Sequence, residues 1–99
     1  MQNGVPYTFT AAVWQYEGNG GWHFVSLPKE VSSEIRQYFQ AAEEGWGRLK
    51  ATARIGQSEW LTAIWFDTKK GTYLLPLKAA IRKQEHITNG QYLTVTIWV

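Results

Sequence analysis

The stretch Arg48-Leu49-Lys50-Ala51-Thr52-Ala53-Arg54-Ile55 alternates polar and apolar side chains over its whole length. Successive side chains of a β-strand point to opposite faces, so this alternation predicts a strand with one buried face and one solvated face. The apolar face is aliphatic, and the polar face contains three cations in alternate positions. The stretch therefore predicts a surface strand of a β-rich domain.

Segments on both sides of this strand have the same character. We predict further strands over residues 7–16, 22–27, 59–66, 72–75 and 91–99, separated by turns that contain Gly, Asn or Asp. Strand 59–66 is apolar on both faces, and we expect it to be central and covered twice. The turn Glu17-Gly18-Asn19-Gly20-Gly21 is followed by a strand, which argues against a phosphate-binding loop that opens a helix.

Two segments have the spacing of helices. Residues 29–42 follow Pro28, which suits a first helical position, and Gly45 is expected to cap the helix. The expected apolar stripe consists of Val31, Ile35, Tyr38 or Phe39, and Ala42. A short helix or helical turn is predicted over residues 77–83.

The composition indicates one globular domain that spans residues 1–99. Of the residues, 44% are hydrophobic and 18% are charged, and there is no Cys, so disulfides and thiolate metal sites are excluded. No apolar run approaches the ~20 residues that span a bilayer. Residues 1–6 resemble no signal peptide, and we expect a cytoplasmic protein.

The charge is distributed unevenly along the chain. Residues 1–47 contain two cationic and five acidic side chains, whereas residues 48–99 contain eight cationic and three acidic ones. A basic half of this kind can attract polyanions, although it can also be a solvated surface that faces the acidic helix.

A short pattern occurs twice. Phe24-Val25-Ser26-Leu27-Pro28 precedes Ile35-Arg36, and Tyr73-Leu74-Leu75-Pro76 precedes Ile81-Arg82. Each copy consists of a strand, a Leu-Pro step, a short helix and Ile-Arg. The pattern suggests two similar halves within one chain.

The second copy resembles the swapped-hairpin barrels of the AbrB/MazE superfamily. The resemblance lies in residues 75–83, Ile87, Gly90 and the closing strand over 92–97, although Gln91 stands where that superfamily usually has Asp. It implies a mainly β fold, a double-split β-barrel in which one chain supplies both halves as a pseudo-dimer, with one long and one short helix. Relatives of this type bind DNA, but fold similarity does not transfer function.

From about Tyr7 to Val99 the chain also resembles a bacterial family catalogued only as a domain of unknown function. Its members occur alone or beside YdeI/OmpD-associated proteins. The matching landmarks are the stretch 21–28, Trp46-Gly47, Ile55-Gly56, Trp60, and Leu75-Pro76 through Ile81-Arg82. This resemblance implies no established function.

Three kinds of binding site are considered, and regulator-like nucleic-acid binding is the leading one. Cations in alternate strand positions could follow a phosphate backbone, and an exposed ring such as Trp60 could stack on bases. The predicted residues are Arg48, Lys50, Arg54, Lys78, Arg82 and Lys83. The alternative is that these cations protect a solvated strand from aggregation.

The second candidate is a small-molecule or peptide site in an aromatic-lined barrel mouth, built from Trp22, His23 and Trp60. Rings of this kind are more often core residues. The third candidate is a partner protein that pairs with an exposed strand edge over residues 91–99. We expect a monomer or a homodimer.

Catalysis is not expected. His23 and His86 are the only histidines, and no Ser lies in a nucleophile elbow. No spacing of carboxylates and histidines predicts a metal site, and no cofactor motif is present. The sequence therefore predicts a non-enzymatic binding module without cofactor or metal.

Overall fold

The computed structural model describes residues 4–18 and 20–99. Asn19 of the predicted hairpin turn, and residues 1–3 of the stretch considered for a signal peptide, lie outside the described residues. The strands are β1 (Pro6–Gln15), β2 (His23–Ser26), β3 (Arg48–Ile55), β4 (Ser58–Asp67), β5 (Thr72–Pro76) and β6 (Tyr92–Trp98). The helices are α1 (Lys29–Phe39) and α2 (Ala79–Gln84), with 3-10 turns at Gln40–Ala42 and Gly45–Gly47.

The six strands form one closed barrel in the order β1-β2-β5-β4-β3-β6. Every neighbouring pair is antiparallel. The mainly β barrel with one long and one short helix is therefore confirmed. Within the described residues, no helix is both long and apolar enough to span a membrane.

The two halves of the chain occupy equivalent places in the barrel. Relabelling β1, β2 and β3 as β4, β5 and β6, and the reverse, gives the same set of strand pairings. The strand segments of the two copies lie in β2 and β5, which pair directly, with Val25 opposite Leu75. Ile35 of α1 and Ile81 of α2 are the helical residues of the two copies, and both are buried.

The alternation of β3 determines which of its side chains enter the core. Leu49, Ala51, Ala53 and Ile55 are buried, as the sequence predicts. Leu49, Ala53 and Ile55 belong to one hydrophobic core with buried residues of the other strands, among them Phe9, Val13, Val25, Ile64, Tyr73, Leu75, Val95 and Ile97. The other face of β3 points out of the barrel.

The expectation that β4 is covered on both faces is wrong. Trp60 and Ile64 are buried, but on the opposite face Leu61 is 86% exposed and Trp65 is also exposed. In a closed barrel only one face of each strand points into the core, so apolar residues on the other face remain on the outer wall. The outer wall of β4 therefore presents unusual apolar surface.

Helix α1 packs through a stripe that differs in part from the predicted one. Ile35 is fully buried and Phe39 is half-buried, whereas Tyr38 and Ala42 are exposed. Ser32 is also fully buried. Its Oγ accepts a hydrogen bond from the Tyr73 backbone N–H at 3.0 Å, which connects α1 to β5.

The connection from α1 to β3 contains a strained residue. Gly45 does not cap α1, which ends at Phe39, but begins a Gly45–Gly47 turn in which Trp46 has a φ of +67°. This left-handed conformation is unfavourable for a residue with a Cβ. The Trp46 side chain is nevertheless 94% exposed, so packing does not compensate for the strain.

Candidate nucleic-acid interface

The cations of β3 lie on the outer wall of the barrel. Arg48, Lys50 and Arg54 occupy outward positions of one strand, where alternate residues are about 6.7 Å apart. Lys50 and Arg54 are exposed, and Arg48 is half-buried. The three side chains therefore form one row along the strand, which we call the β3 cation row.

A groove with a volume of about 580 Å³ runs beside this row, across β3, β4 and β6. Arg48 and Lys50 are its cationic lining residues. The indole rings of Trp65 and Trp98 and the hydroxyl-bearing side chains of Thr52 and Thr62 also line it. The groove thus combines positive charge, aromatic rings and hydrogen-bonding groups.

Three outward-facing tryptophans each have a cation over the ring. The distance from the side-chain charge to the ring centroid is 5.6 Å for Arg48 and Trp65, and 5.1 Å for Arg54 and Trp98. For Lys70 and Trp14 it is 4.6 Å. All three lie within the ~6 Å range of a cation–π interaction. The contacts hold cations and rings next to each other on the outer wall.

Glu44 competes for one of these cations. The Arg48 Nη1 lies 2.5 Å from the Glu44 Oε1, and two backbone hydrogen bonds also join the residues. Both side chains are partly solvated, so the ion pair contributes little to stability. It does reduce the positive charge at one end of the groove.

The cations of α2 form a separate group. Lys78 and Lys83 are exposed, and Arg82 is half-buried with its Nε donating to the Leu77 carbonyl oxygen at 3.0 Å. None of the three lines the groove. Beyond α2, Glu85 accepts a hydrogen bond from the Ser58 Oγ at 2.6 Å, near the β3–β4 turn. The six predicted cations are thus divided between β3 and α2.

The three aromatic residues predicted for the barrel mouth do not share a site. Trp22 is 56% exposed on the outer wall, whereas Trp60 is 8% exposed and belongs to the core, opposite Ala53. The expectation that Trp60 is an exposed stacking residue is wrong, because the alternation of β4 directs it inward. The His23 Nδ1 lies 2.7 Å from the Gly21 carbonyl oxygen, and His23 is half-buried.

An apolar pocket does exist, but on the outer wall and with other residues. Its volume is about 330 Å³, and we call it the outer-wall pocket. It is lined by Tyr16, Trp22, Phe24, Trp65, Leu74 and Pro76. Of the three residues predicted for a small-molecule site, only Trp22 lines this pocket. The sequence does contain an indication for Trp65. It is an apolar residue on the same strand face as the charged Glu59, and a charged residue indicates a face that points to solvent.

The rings of the pocket are ordered by their own contacts. Trp22 and Phe24 are nearly parallel, with a 13° angle between their planes and 6.2 Å between centroids. Trp14 lies behind Phe24 at 5.0 Å, and its Nε1 donates to the Ser26 Oγ at 2.9 Å. These contacts fix the orientations of the three rings relative to one another.

A separate cluster of polar and aromatic side chains connects elements of the fold. The Tyr73 hydroxyl donates a hydrogen bond to the Glu43 carboxylate, and the Arg36 guanidinium lies 3.8 Å from the centroid of the Phe66 ring. Burial of the hydroxyl, with a smaller effect of Glu43, raises the pKa of Tyr73 above its ordinary value of 10.0. The cluster joins the segment after α1 to β4 and β5.

No metal site is visible in residues 4–18 and 20–99, where His, Asp and Glu form no group of three or more with suitable geometry.

Comparison with known families gives one result for almost the entire barrel. A family model described as "Domain of unknown function (DUF1905)" matches residues 9–97. The search of curated proteins found no match.

Proposed function

The chain belongs to the DUF1905 family, whose description names no activity, and from its geometry we propose that it is a non-enzymatic module that binds nucleic acid. The binding surface is the groove beside the β3 cation row. The proposal retains the cytoplasmic location expected from the sequence, where nucleic acids are accessible.

The observation that supports this function best is the composition of the groove. Arg48 and Lys50 line it together with the rings of Trp65 and Trp98. Nucleic-acid grooves combine cations, which neutralise phosphates, with aromatic side chains, which stack on bases. Since Arg54 continues the same row and lies over Trp98, an extended backbone could follow β3 from end to end.

Only three of the six cations predicted from the sequence to bind nucleic acid belong to the proposed site. Arg48, Lys50 and Arg54 remain in the proposal because they form one row beside the groove. Lys78, Arg82 and Lys83 do not line it, and we assign them no contact with nucleic acid.

This distinction provides a matched experiment. We expect the double variant Lys50→Ala/Arg54→Ala to weaken binding of a labelled single-stranded DNA oligonucleotide at about 50 mM salt, and to make the slope of log K against log salt less steep by about 1.4. The control is Lys78→Ala/Lys83→Ala, which removes the same charge from two exposed positions, one just before α2 and one within it. Equal losses in both variants would indicate attraction by net charge alone. Absence of binding by the unmodified protein at low salt would refute the function.

The other two candidate sites have less support. The small-molecule site built on Trp22, His23 and Trp60 requires side chains that lie apart, since Trp60 is in the core. The protein partner on a free strand edge requires an unpaired β6, but β6 pairs with β1 over its whole length and with β3 at residues 96–98.

We also propose that the chain is a one-chain counterpart of the AbrB/MazE barrels. The equivalence of the two halves, with β2 and β5 paired across them, supports this relation. The relation bears on the fold only, because function depends on the residues of the site.

A further inference from the structure

The outer-wall pocket is continuous with the proposed nucleic-acid groove. Trp65 lines both: the groove lies on the β3 side of this residue, and the pocket lies on the β5 and β2 side. In the strand register, Arg48, Trp65 and Leu74 are direct neighbours across β3, β4 and β5. A ligand that follows the groove therefore meets the pocket at Trp65.

The chemistry of the pocket favours a flat and largely apolar group. All six lining residues present rings or apolar side chains, and Trp22 is more than half exposed. A volume of about 330 Å³ is at the lower end of the range for small-ligand sites, about 300–1,000 Å³. The space thus suits one planar ring system, which can stack on the exposed face of an indole.

The charges around the pocket indicate what is attached to that ring. Arg48 lies over Trp65 on one side, and Lys70 lies over Trp14, which packs behind Phe24. These cations disfavour a positively charged ligand and favour one with anionic groups beside the ring. A base attached to a phosphate backbone has this combination.

We propose that the outer-wall pocket receives one unpaired base of a nucleic acid whose phosphates lie along the β3 cation row. The inference rests on the proposed function and specifies its ligand as a single strand. Bases within a duplex are paired and stacked, and flipping one out costs roughly a few kcal/mol, so the pocket favours a single-stranded segment, whose bases are already unpaired.

The test compares three probes, chosen to distinguish binding through unpaired bases from binding through negative charge alone. They are a labelled 12-mer of deoxythymidine, a 12-base-pair duplex, and a heparin fragment, which is a polyanion without bases. Each is titrated against the unmodified protein, Trp22→Ala, Trp22→Phe and Tyr92→Ala. Tyr92 is the control because it is an aromatic residue with 74% exposure on the outer face of β6, and it does not line the pocket.

We expect the unmodified protein to prefer the single strand to the duplex. Trp22→Ala should weaken single-strand binding about tenfold, the effect of losing one stacked base, and leave heparin binding unchanged. Trp22→Phe should restore most of the affinity because it retains a ring. Tyr92→Ala should have no effect. Melting curves of the variants verify that the barrel remains folded.

The outcomes distinguish this inference from the proposed function. If the duplex binds as tightly as the single strand, or if Trp22→Ala leaves single-strand affinity unchanged, the base pocket is refuted while the groove is retained. If Trp22→Ala weakens heparin and single-strand binding by the same factor, Trp22 acts on the fold or the charge, and the pocket is again refuted. If no probe binds, both ideas are refuted.

Discussion

The Arg48 guanidinium is bound at once to the Glu44 carboxylate, at 2.5 Å, and to the face of the Trp65 ring, at 5.6 Å. Trp65 lines both the groove and the outer-wall pocket, so this cation lies where the two parts of the proposed site meet. Glu44 partly neutralises it in the free protein. A phosphate that approaches the junction must compete with a carboxylate of the same chain.

Replacing that carboxylate should therefore strengthen binding. We expect Glu44→Gln to raise affinity for a single-stranded oligonucleotide about two- to fivefold at low salt, which corresponds to the energy of one exposed ion pair. The gain should decrease as salt is added, because exposed charges are screened. Glu30→Gln is the control, since it removes an exposed acid from the first turn of α1. Equal gains in both variants would contradict a local role of Glu44.

Trp46 should be replaceable by Gly with a gain in stability. Its φ of +67° is unfavourable for any residue with a Cβ, and its exposed side chain supplies little packing. We expect Trp46→Gly to raise the free energy of unfolding by about 1 kcal/mol in denaturant titrations. Trp46→Ala retains a Cβ, and it should show no gain. A loss in the Gly variant would mean that the ring stabilises the turn.

Ser32 should be necessary for the contact between α1 and the barrel. Its buried Oγ is the acceptor for the Tyr73 backbone N–H, so Ser32→Ala leaves a buried donor without a partner. We expect a loss of about 1–3 kcal/mol in the free energy of unfolding. The neighbouring Ser33 is exposed, and Ser33→Ala should change stability by less than about 0.5 kcal/mol. Similar losses in the two variants would refute the role of the hydrogen bond.

The raised pKa of Tyr73 predicts a loss of stability at alkaline pH. The folded state holds the phenolic proton more tightly than the unfolded state, whose ordinary pKa is 10.0. The contribution is complete below about pH 10, and it is lost as the pH rises through the folded-state value. We expect the unfolding free energy of the unmodified protein to fall more steeply above pH 10 than that of Tyr73→Phe. Parallel curves for the two proteins would contradict this linkage.

The sequence is sufficient to predict which face of β3 is buried, because the two faces of this strand differ in polarity. Leu49 to Ile55 alternates with cations, and only one arrangement buries the aliphatic side chains. The pattern was insufficient for β4, where both faces are apolar. Alternation of side chains shows which residues of β4 share a face. It does not show which face points into the barrel, because that depends on how distant strands close the barrel.

Ser32 and Trp60 show the same limitation for single residues. Ser32 is a polar residue of α1, yet it is buried, and its Oγ accepts a hydrogen bond from a backbone N–H of a distant strand. Trp60 was considered exposed because the basic strand lies next to it, but its own alternation directs it inward. The partner of Ser32 is 41 residues away in sequence, and the inward face of β4, which includes Trp60, is determined by closure of the barrel.

Part of the candidate site was visible in the sequence, and part was not. The β3 cation row follows from alternation within one strand. The pocket does not, because Tyr16, Trp65 and Leu74 come from different segments and meet only through strand pairing across β4, β5 and β2. Its apolar residues also looked like ordinary core positions.

The pairing of β1 with β6 has a consequence for folding of the chain. Seven residue pairs join these strands, from Pro6 opposite Trp98 to Ala12 opposite Tyr92. The paired residues are 80 to 92 positions apart in the sequence, so bringing them together closes a very long loop. This seam of the barrel is therefore expected to form late in folding, after the more local hairpin of β3 and β4.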